Sequence, residues 1–247
     1  MKFLVDIGNS RIKWAQYRHN SLRSCDACAY DKGHLIGSID PYWRELSRPT
    51  QVFVSNVAGD ALATEISAYV DKIWSMTPIY LLVDKEAAGV INGYDDSSQL
   101  GIDRWLAMIA ARASYQSALC IVDCGTALTV DVITASGQHK GGYIVPGLKL
   151  MSDALNSRTQ QINSTISRNP SLKLGLNTES CINNGAFTAI VALIESVFSE
   201  LVREHGKDSR CIITGGYAEE IRSVLPFDVD SDPHLVLNGM VRLIEYL

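Results

Sequence analysis

The chain has 247 residues, of which 47% are hydrophobic and 20% are charged, with a formal net charge of −5 at pH 7. This composition is typical of a folded globular protein with one large domain or two ordinary ones, and it excludes bulk disorder. The negative net charge gives no electrostatic reason to expect nucleic acid or an anionic membrane as a partner. The sequence suggests no bilayer-spanning apolar run and no signal-peptide pattern, so we expect a cytoplasmic protein.

The chain contains six cysteines and five histidines. In a long chain without a leader pattern we expect the cysteines to be reduced thiols. Cys25 and Cys28 have the C-x-x-C spacing that zinc sites and redox sites share, but no second pair stands at zinc-finger spacing and no helical pattern follows. The histidines show neither H-E-x-x-H nor H-x-H spacing, so the sequence does not indicate a zinc enzyme.

Residues 4–10 and 121–126 share one pattern, an apolar run followed by Asp, any residue, Gly and a small polar residue. Asp6 and Asp123 are 123 − 6 = 117 positions apart, which is close to half of the chain. Each copy is followed by a second stretch with strand character, which predicts a β-hairpin at the start of each half. Two such halves facing each other would bring two carboxylates and two glycine turns to one cleft.

These turns have the residue types of a phosphate site. Glycine permits a positive φ and lets backbone N–H groups approach a phosphate closely. Asn9, Ser10 and Thr126 add side-chain donors, and Lys13 adds a positive charge. A carboxylate would repel a bare phosphate, which indicates that a cation lies between them, so Asp6 is a candidate magnesium ligand. The alternative is that each Asp-x-Gly is simply a hairpin turn.

Strand and helix patterns alternate along the rest of the chain, which predicts parallel crossovers and an α/β sheet. We expect the buried helix 101–116 to link the halves, giving domains 1–116 and 117–247. The polar residues 158–173 suit a mobile flap. The two glycines after strand 211–213 allow a nucleotide to approach closely or form an ordinary turn. The predicted elements are strands 51–57 and 78–83, helix 61–74, helix 148–157, a helix from 178 to 201 capped by Thr178, and a helix from 217.

Together these motifs resemble the acetate kinase, sugar kinase, Hsp70 and actin superfamily. Over nearly its full length the chain closely resembles the type III pantothenate kinase family, also known as the Bvg accessory factor group. The resemblance implies two ribonuclease-H-like (actin-like) α/β domains, each a mixed β-sheet flanked by helices, with the active-site cleft between them. The matching segments are residues 6–10, 100–105, 123–127, 141–147 and 177–178 with Gly185.

The resemblance implies ATP-dependent phosphorylation of pantothenate to 4'-phosphopantothenate, the first step of coenzyme A synthesis. Asp103 would be the general base, and the protein would work as a homodimer without nucleic acid or membrane partners. The implied substrate-binding residues are Tyr94, Gly101, Ile102, Asp103, Arg104 and Thr178, the last of them contributed from a neighbouring subunit or flap.

The resemblance also assigns the nucleotide and its ions. Asp123 would bind potassium or ammonium, and magnesium would accompany the ATP. Ser97 stands where the family usually has proline, which we expect to loosen the substrate loop. The implied ATP-binding residues are Asp6, Ile7, Gly8, Asn9, Ser10, Arg11, Ile12, Lys13 and Thr126.

The residues themselves agree with phosphoryl transfer, which requires positioning and charge neutralisation. No G-x-x-x-x-G-K-(S/T) motif occurs, so the sequence excludes a P-loop enzyme. On sequence alone, Asp103 reads equally well as a helix-capping residue. Two other functions stay open: a kinase or phosphatase of the same superfamily acting on another substrate, and a nucleotide-binding regulatory protein.

Overall fold

The computed structural model describes residues 1–31, 33–158 and 170–247. Most of the segment 158–173, expected to be a flap, therefore lies outside the described residues. The chain folds as two compact units. Residues 1–113 together with 234–247 form the first unit, and residues 114–233 form the second.

The first unit contains a five-stranded mixed sheet with the strand order β3-β2-β1-β4-β5. Strands β1, β2 and β3 are antiparallel neighbours, whereas β1, β4 and β5 run parallel. Their bounds are β1 Lys2–Ile7, β2 Arg11–Arg18, β3 Ser21–Ala29, β4 Gln51–Asn56 and β5 Ile79–Tyr80.

Helices α1 (Leu35–Trp43) and α2 (Asp60–Trp74) cover one face of this sheet. The centre of that core is aromatic, because the ring of Trp43 lies edge-on to Phe3 at 5.0 Å and stacks on Trp74 at 6.1 Å. The unit also contains the hairpin β6 (Glu86–Ala87) and β7 (Val90–Ile91), a 3₁₀ turn (Ser97–Gln99), helix α3 (Ile102–Ser114) and helix α7 (Leu235–Tyr246).

The second unit contains a sheet with the strand order β10-β9-β8-β11-β12. Its core joins the sheet to the long helix α5 through apolar side chains such as Val122, Phe187 and Ile194. The elements are β8 Leu119–Cys124, β9 Ala127–Ile133, β10 His139–Pro146, α4 Leu148–Arg158, α5 Thr178–His205, β11 Arg210–Gly215, α6 Ala218–Arg222 and β12 Val229–Ser231.

The two sheets have the same plan. In each, three antiparallel strands are followed in space by two strands parallel to the first strand of the unit. This is the ribonuclease-H-like arrangement, so the predicted class of two mixed sheets flanked by helices is confirmed.

The units divide the chain differently from the segments 1–116 and 117–247 expected from the sequence. Residues 234–247 form α7, which packs in the first unit against β1 and β2. The packing against α3 is close, because a Cβ on Gly239 would lie 1.9 Å from the carbonyl oxygen of Leu106. Non-local packing of this kind leaves no signal in local periodicity.

One helix corrects a sequence expectation. By length and composition alone, α5 is long and apolar enough to cross a membrane, contrary to the expectation that no such run exists. One third of its most apolar window is buried inside the protein, and its buried side chains, including Phe187 and Ile190, pack on the sheet of the second unit. The core helix of a globular domain meets the same two criteria.

Candidate functional site

At least three hydrogen bonds hold the turn between β1 and β2. The Gly8 N–H donates to the carbonyl oxygen of Arg11 at 3.0 Å. Tyr30, which follows β3, supplies the other two: its hydroxyl donates to the Gly8 carbonyl at 2.5 Å, and its N–H donates to the Ser10 carbonyl at 3.3 Å. The predicted phosphate turn is therefore fixed both by its own hairpin and by the neighbouring strand.

Asp6 lies at the end of β1 and is only 7% exposed. The hydroxyl of Ser55, a fully buried residue of β4, donates to Asp6 Oδ1 at 3.0 Å. Lys13 is the register partner of Asp6 on β2, so its side chain leaves the same face of the sheet. Carboxylate, hydroxyl and ammonium groups thus stand on three adjacent strands.

The expectation that the turn glycines use a positive φ is wrong for both copies. Neither Gly8 nor Gly125 is among the residues with φ in the left-handed region. At Gly8 the constraint is space, because a Cβ would lie 3.2 Å from the carbonyl oxygen of Arg11. At Gly125 it would lie 3.4 Å from Asp123 Oδ1, which shows that this carboxylate is directed towards the turn.

The second turn, between β8 and β9, is enclosed by glycines from elsewhere in its unit. A Cβ on Gly147 would lie 2.4 Å from the Gly125 carbonyl oxygen, and its N–H donates to the Thr126 carbonyl at 3.0 Å. Gly215 has φ +101°, and its Cβ would lie 2.5 Å from the backbone of Cys124. These positions therefore require glycine, because any side chain would collide with the backbone of the turn.

Asp123 has threonines on both sides. Its neighbours in β8, Val122 and Cys124, face the core, so its own side chain leaves the opposite face. Thr129 on β9 and Thr214 on β11 are its register partners and share that face. Thr214 is 1% exposed, and its buried hydroxyl makes no hydrogen bond within the part of the chain that the structure describes.

The side chains of Asp123, Thr129 and Thr214 offer only oxygen atoms as ligands, and hard cations prefer oxygen ligands. The orphaned buried hydroxyl of Thr214 beside a carboxylate is the specific observation that fits such a cation. Asp123 and Thr214 are therefore suited to hold a hard cation.

A second cluster lies where the 84–100 loop region meets α3. Arg104 is only 6% exposed, and its Nη1 donates to the Tyr94 hydroxyl at 2.7 Å. The guanidinium carbon lies 5.6 Å from the centroid of the same ring, and the Tyr94 N–H donates to Asn92 Oδ1 at 3.0 Å. A buried guanidinium oriented by an aromatic ring and its hydroxyl suits recognition of a carboxylate.

Asp103 lies in the first turn of α3. Its Oδ1 accepts the backbone N–H of Arg104 at 2.8 Å. A Cβ on Gly101 would lie 2.6 Å from the same oxygen, so glycine leaves the space that the carboxylate occupies. The hydrogen bond supports the capping role considered for Asp103, and a carboxylate has acceptor capacity for a second partner as well.

Thr178 is the first residue of α5 and is exposed, but it is not the cap that the sequence predicts. The cap is Asn177, whose Oδ1 accepts the Ser180 N–H at 2.8 Å in a reciprocal capping box. Thr178 instead lines an apolar cavity of 760 Å³ between α4 and α5. The other lining residues are Met151, Leu155, Gly175, Leu176, Asn177, Cys181, Ile182, Gly185 and Ala186.

The predicted ATP-binding and substrate-binding residues differ in whether a ligand can reach their side chains. The side chains of Ile7, Ile12 and Ile102 are buried, so these residues can contact a ligand only through their backbones. The remaining turn residues present exposed side chains, namely Asn9, Ser10, Arg11 and Thr126.

The sequence analysis assigns no role in the site to three residues near the turns: Tyr30, Ser55 and Thr214. Ser55 and Thr214 could have been identified from the sequence. Each follows an apolar run at the corresponding place in its half of the chain, and each pairs with the turn carboxylate of its unit. Tyr30 has no such signal, because its contact with Gly8 depends on the path of β3. Within the described residues, no three His, Cys, Asp or Glu side chains group closely enough to hold a metal ion.

Two ribonuclease-H-like units, each opening with an Asp-x-Gly turn, define a protein of the actin-like fold class that includes sugar kinases. Solved structures agree with this class. A Baf family transcriptional activator from Campylobacter jejuni aligns with a TM-score of 0.59 at 22% identity, covering 98% of this chain and 97% of the other. A 2-dehydro-3-deoxygalactonokinase from Sinorhizobium meliloti aligns with a TM-score of 0.60 at 11% identity, covering 99% and 96%. At these identities the likeness concerns the fold alone.

Sequence relatives identify the family. The model of the type III pantothenate kinase family matches residues 2–200. A type III pantothenate kinase of Nitrosococcus oceani is 36% identical over 248 residues, which cover 98% of this chain and 93% of the relative. The chain belongs to the type III pantothenate kinase family.

Proposed function

We propose that this protein transfers the γ-phosphoryl group of ATP to the hydroxyl group of pantothenate, giving 4'-phosphopantothenate and ADP. This is the first step of coenzyme A synthesis. Family membership supports the reaction. The structural observation that carries the proposal is the cluster in which Asp103 shares one turn of helix with the buried, Tyr94-bonded Arg104.

In this proposal Asp103 takes the proton of the acceptor hydroxyl. The hydroxyl oxygen then forms a bond to the γ-phosphorus, and the bond to the β-phosphate oxygen breaks to release ADP. Arg104, held by Tyr94, binds the carboxylate of pantothenate, because a guanidinium pairs with a carboxylate through two parallel hydrogen bonds. Thr178 adds a hydroxyl contact to the same substrate. Most of the catalytic effect comes from positioning and charge neutralisation.

The two Asp-x-Gly turns hold the ATP phosphates in this proposal. Exposed donors at Asn9, Ser10 and Thr126 contact phosphate oxygens, and Lys13 contributes a positive charge. Magnesium accompanies the nucleotide, with Asp6 on its protein side. Asp6 suits this role because the Ser55 hydrogen bond fixes one carboxylate oxygen.

Asp123 holds a monovalent cation, potassium or ammonium, with Thr214 beside it. Such a cation supplies positive charge next to the phosphates. The oxygen-only donors and the buried hydroxyl of Thr214 support this assignment.

We also propose a cytoplasmic homodimer. Several large apolar side chains of the second unit are solvent-exposed, among them Leu155 at 45% and Leu176 at 98%. Exposed apolar patches of this kind mark interaction surfaces. The apolar helix segment 186–201 is our candidate dimer surface, and small side chains such as Ala189 and Ala192 are exposed on it. The cytoplasm supplies ATP and keeps the six thiols reduced.

The test is pantothenate-dependent ADP formation in potassium, ammonium and sodium buffers. Asp103→Asn should lower kcat by roughly 10²- to 10⁴-fold, the usual contribution of a general base. Asp60→Asn is the matched control, because Asp60 is an exposed carboxylate in the first turn of α2. It should leave turnover unchanged. If the wild type binds ATP but pantothenate stimulates no turnover in any of the three buffers, the proposed reaction is wrong.

A further inference from the structure

We infer that Tyr30 is a positioning residue for the ATP phosphates, acting through the peptide group between Gly8 and Asn9. The inference rests on the proposed function, in which this turn contacts the nucleotide. Tyr30 does not itself contact the phosphates. It fixes the direction in which a backbone donor of the turn points.

Tyr30 is 7% exposed, and it makes two hydrogen bonds to the turn, from its hydroxyl to the Gly8 carbonyl and from its N–H to the Ser10 carbonyl. Burial raises the pKa of the Tyr30 hydroxyl, so the group remains a protonated donor at neutral pH. Both carbonyl groups therefore point towards Tyr30.

Peptide geometry determines where the neighbouring N–H groups of the turn point. The described residues contain no cis peptide bond. In a trans peptide the C=O and N–H groups point in opposite directions. The Asn9 N–H shares its peptide group with the Gly8 carbonyl, so it points away from Tyr30. For the same reason the Arg11 N–H points away from Tyr30, because it belongs to the peptide group of the Ser10 carbonyl.

The peptide group between Gly8 and Asn9 needs an anchor. Glycine accepts more backbone conformations than other residues, so rotation of the Gly8–Asn9 peptide meets little local resistance. That rotation would turn the Asn9 N–H away from a bound phosphate and present a carbonyl oxygen instead. The Tyr30 hydroxyl opposes this rotation, because its hydrogen bond is lost when the carbonyl turns. Preorganised donors of this kind contribute to binding without reorganising on contact.

The test compares Tyr30→Phe with Tyr80→Phe. Both substitutions remove a tyrosine hydroxyl that donates to a main-chain carbonyl in the first unit, since Tyr80 donates to Ala63 at 2.6 Å. Affinities for ATP, ADP and AMP are measured by calorimetry, and KM values for both substrates by turnover. Tyr30→Phe should weaken ATP and ADP binding by about five- to tenfold, which lies in the range of one hydrogen bond between neutral groups. AMP affinity and the KM for pantothenate should not change, and Tyr80→Phe should leave ATP binding as in the wild type.

A double-mutant cycle tests the route through the peptide group. Asn9→Pro removes the backbone donor, and proline is favoured at the second position of a common turn. In that background Tyr30→Phe should have no further effect on ATP affinity. Additive losses, an equal loss for AMP, or unchanged ATP affinity in Tyr30→Phe would each overturn the inference. If the wild type neither binds ATP nor phosphorylates pantothenate, the proposed function fails instead. Thermal unfolding of each variant shows that the proteins compared are folded.

Discussion

At the scale of single residues, each turn carboxylate has a hydroxyl side chain beside it on the adjacent parallel strand. Ser55 lies beside Asp6, and Thr214 lies beside Asp123. Ser55 donates to its carboxylate at 3.0 Å, whereas the Thr214 hydroxyl is buried without a hydrogen bond to the described residues. The hydroxyl at this position therefore stabilises the first unit, where it makes a hydrogen bond. In the second unit the buried hydroxyl carries a desolvation cost.

We predict opposite effects for the two hydroxyl deletions. Ser55→Ala should lower the free energy of unfolding by about 1–3 kcal/mol, because a buried carboxylate oxygen loses a donor. Thr214→Val should leave it unchanged or raise it by up to about 1 kcal/mol, because a methyl group replaces an unpaired hydroxyl. Urea denaturation in sodium buffer without nucleotide measures both. An equal loss in the two variants would show that Thr214 has a partner in the folded protein.

Cysteine reactivity gives a second prediction at this scale. Burial, with the nearby Asp123 charge, raises the pKa of the Cys124 thiol well above its usual value. The pKa of Cys120 is raised by its hydrogen bond to Cys211 and by burial. Thiolates are the reactive species, so Cys120 and Cys124 should resist alkylation at pH 7.5. The exposed Cys181 should react first, and peptide mapping after a short iodoacetamide pulse checks the order. Early labelling of Cys124 would contradict the expected order.

At the scale of elements, the second turn depends on glycines supplied by two other segments. We predict that Gly147→Ala strongly destabilises the second unit, since its Cβ would meet backbone oxygens at 2.4 and 2.7 Å. Backbone at these positions cannot move without breaking sheet hydrogen bonds. Gly216→Ala is the control, because its Cβ meets nothing within 4 Å. Hydrogen exchange of the β8–β9 hairpin should accelerate in Gly147→Ala and not in the control. Equal exchange in both variants would contradict the prediction.

The loop before α3 offers a stabilising substitution. Ser97 begins the 3₁₀ turn that is capped by Asp96, whose Oδ1 accepts the Ser98 N–H at 3.0 Å. Proline suits the first position of a helical turn, where its missing N–H is not needed. We predict that Ser97→Pro raises the free energy of unfolding by about 0.4–1 kcal/mol by restricting the unfolded chain. A lower melting temperature would show that the backbone at Ser97 does not fit proline.

Sequence patterns predict the two hairpins, β4, α2, α3 and α5, because each is either a continuous apolar run or has apolar residues at a regular spacing. They do not predict α1, which contains Gly37 and Pro41 and has no side-chain cap or first-turn acid. Nor do they predict β3, none of whose residues is buried and which lacks an apolar run. The candidate site also has parts that local sequence patterns predict and parts that they do not. The two turns and Asp103 are recognisable as motifs, but the contact of Tyr30 with Gly8 spans 22 positions and depends on the missed strand.

At the scale of the whole molecule, the fold of the first unit depends on both ends of the chain. Gly239 of α7 lies against Leu106 of α3 with no room for a side chain. We predict that Gly239→Ala increases hydrogen exchange in α3 and β1, and leaves the core strands of the second unit protected. Gly216→Ala again serves as the control. Faster exchange confined to residues 114–233 would contradict the assignment of α7 to the first unit.

The position of α7 has a consequence for synthesis of the protein on the ribosome. The second unit is one continuous segment inserted between two parts of the first, so all of its strands have been made before α7 is translated. The first unit, although its sheet begins at residue 2, stays incomplete until the last helix leaves the ribosome. The first unit therefore cannot complete its fold before the second unit has been synthesised, although its sheet is translated first. Until then, the apolar strands β1 and β4 lack the helix that packs on β1 in the finished unit, and we expect this interval to be the one in which the chain is most prone to aggregate.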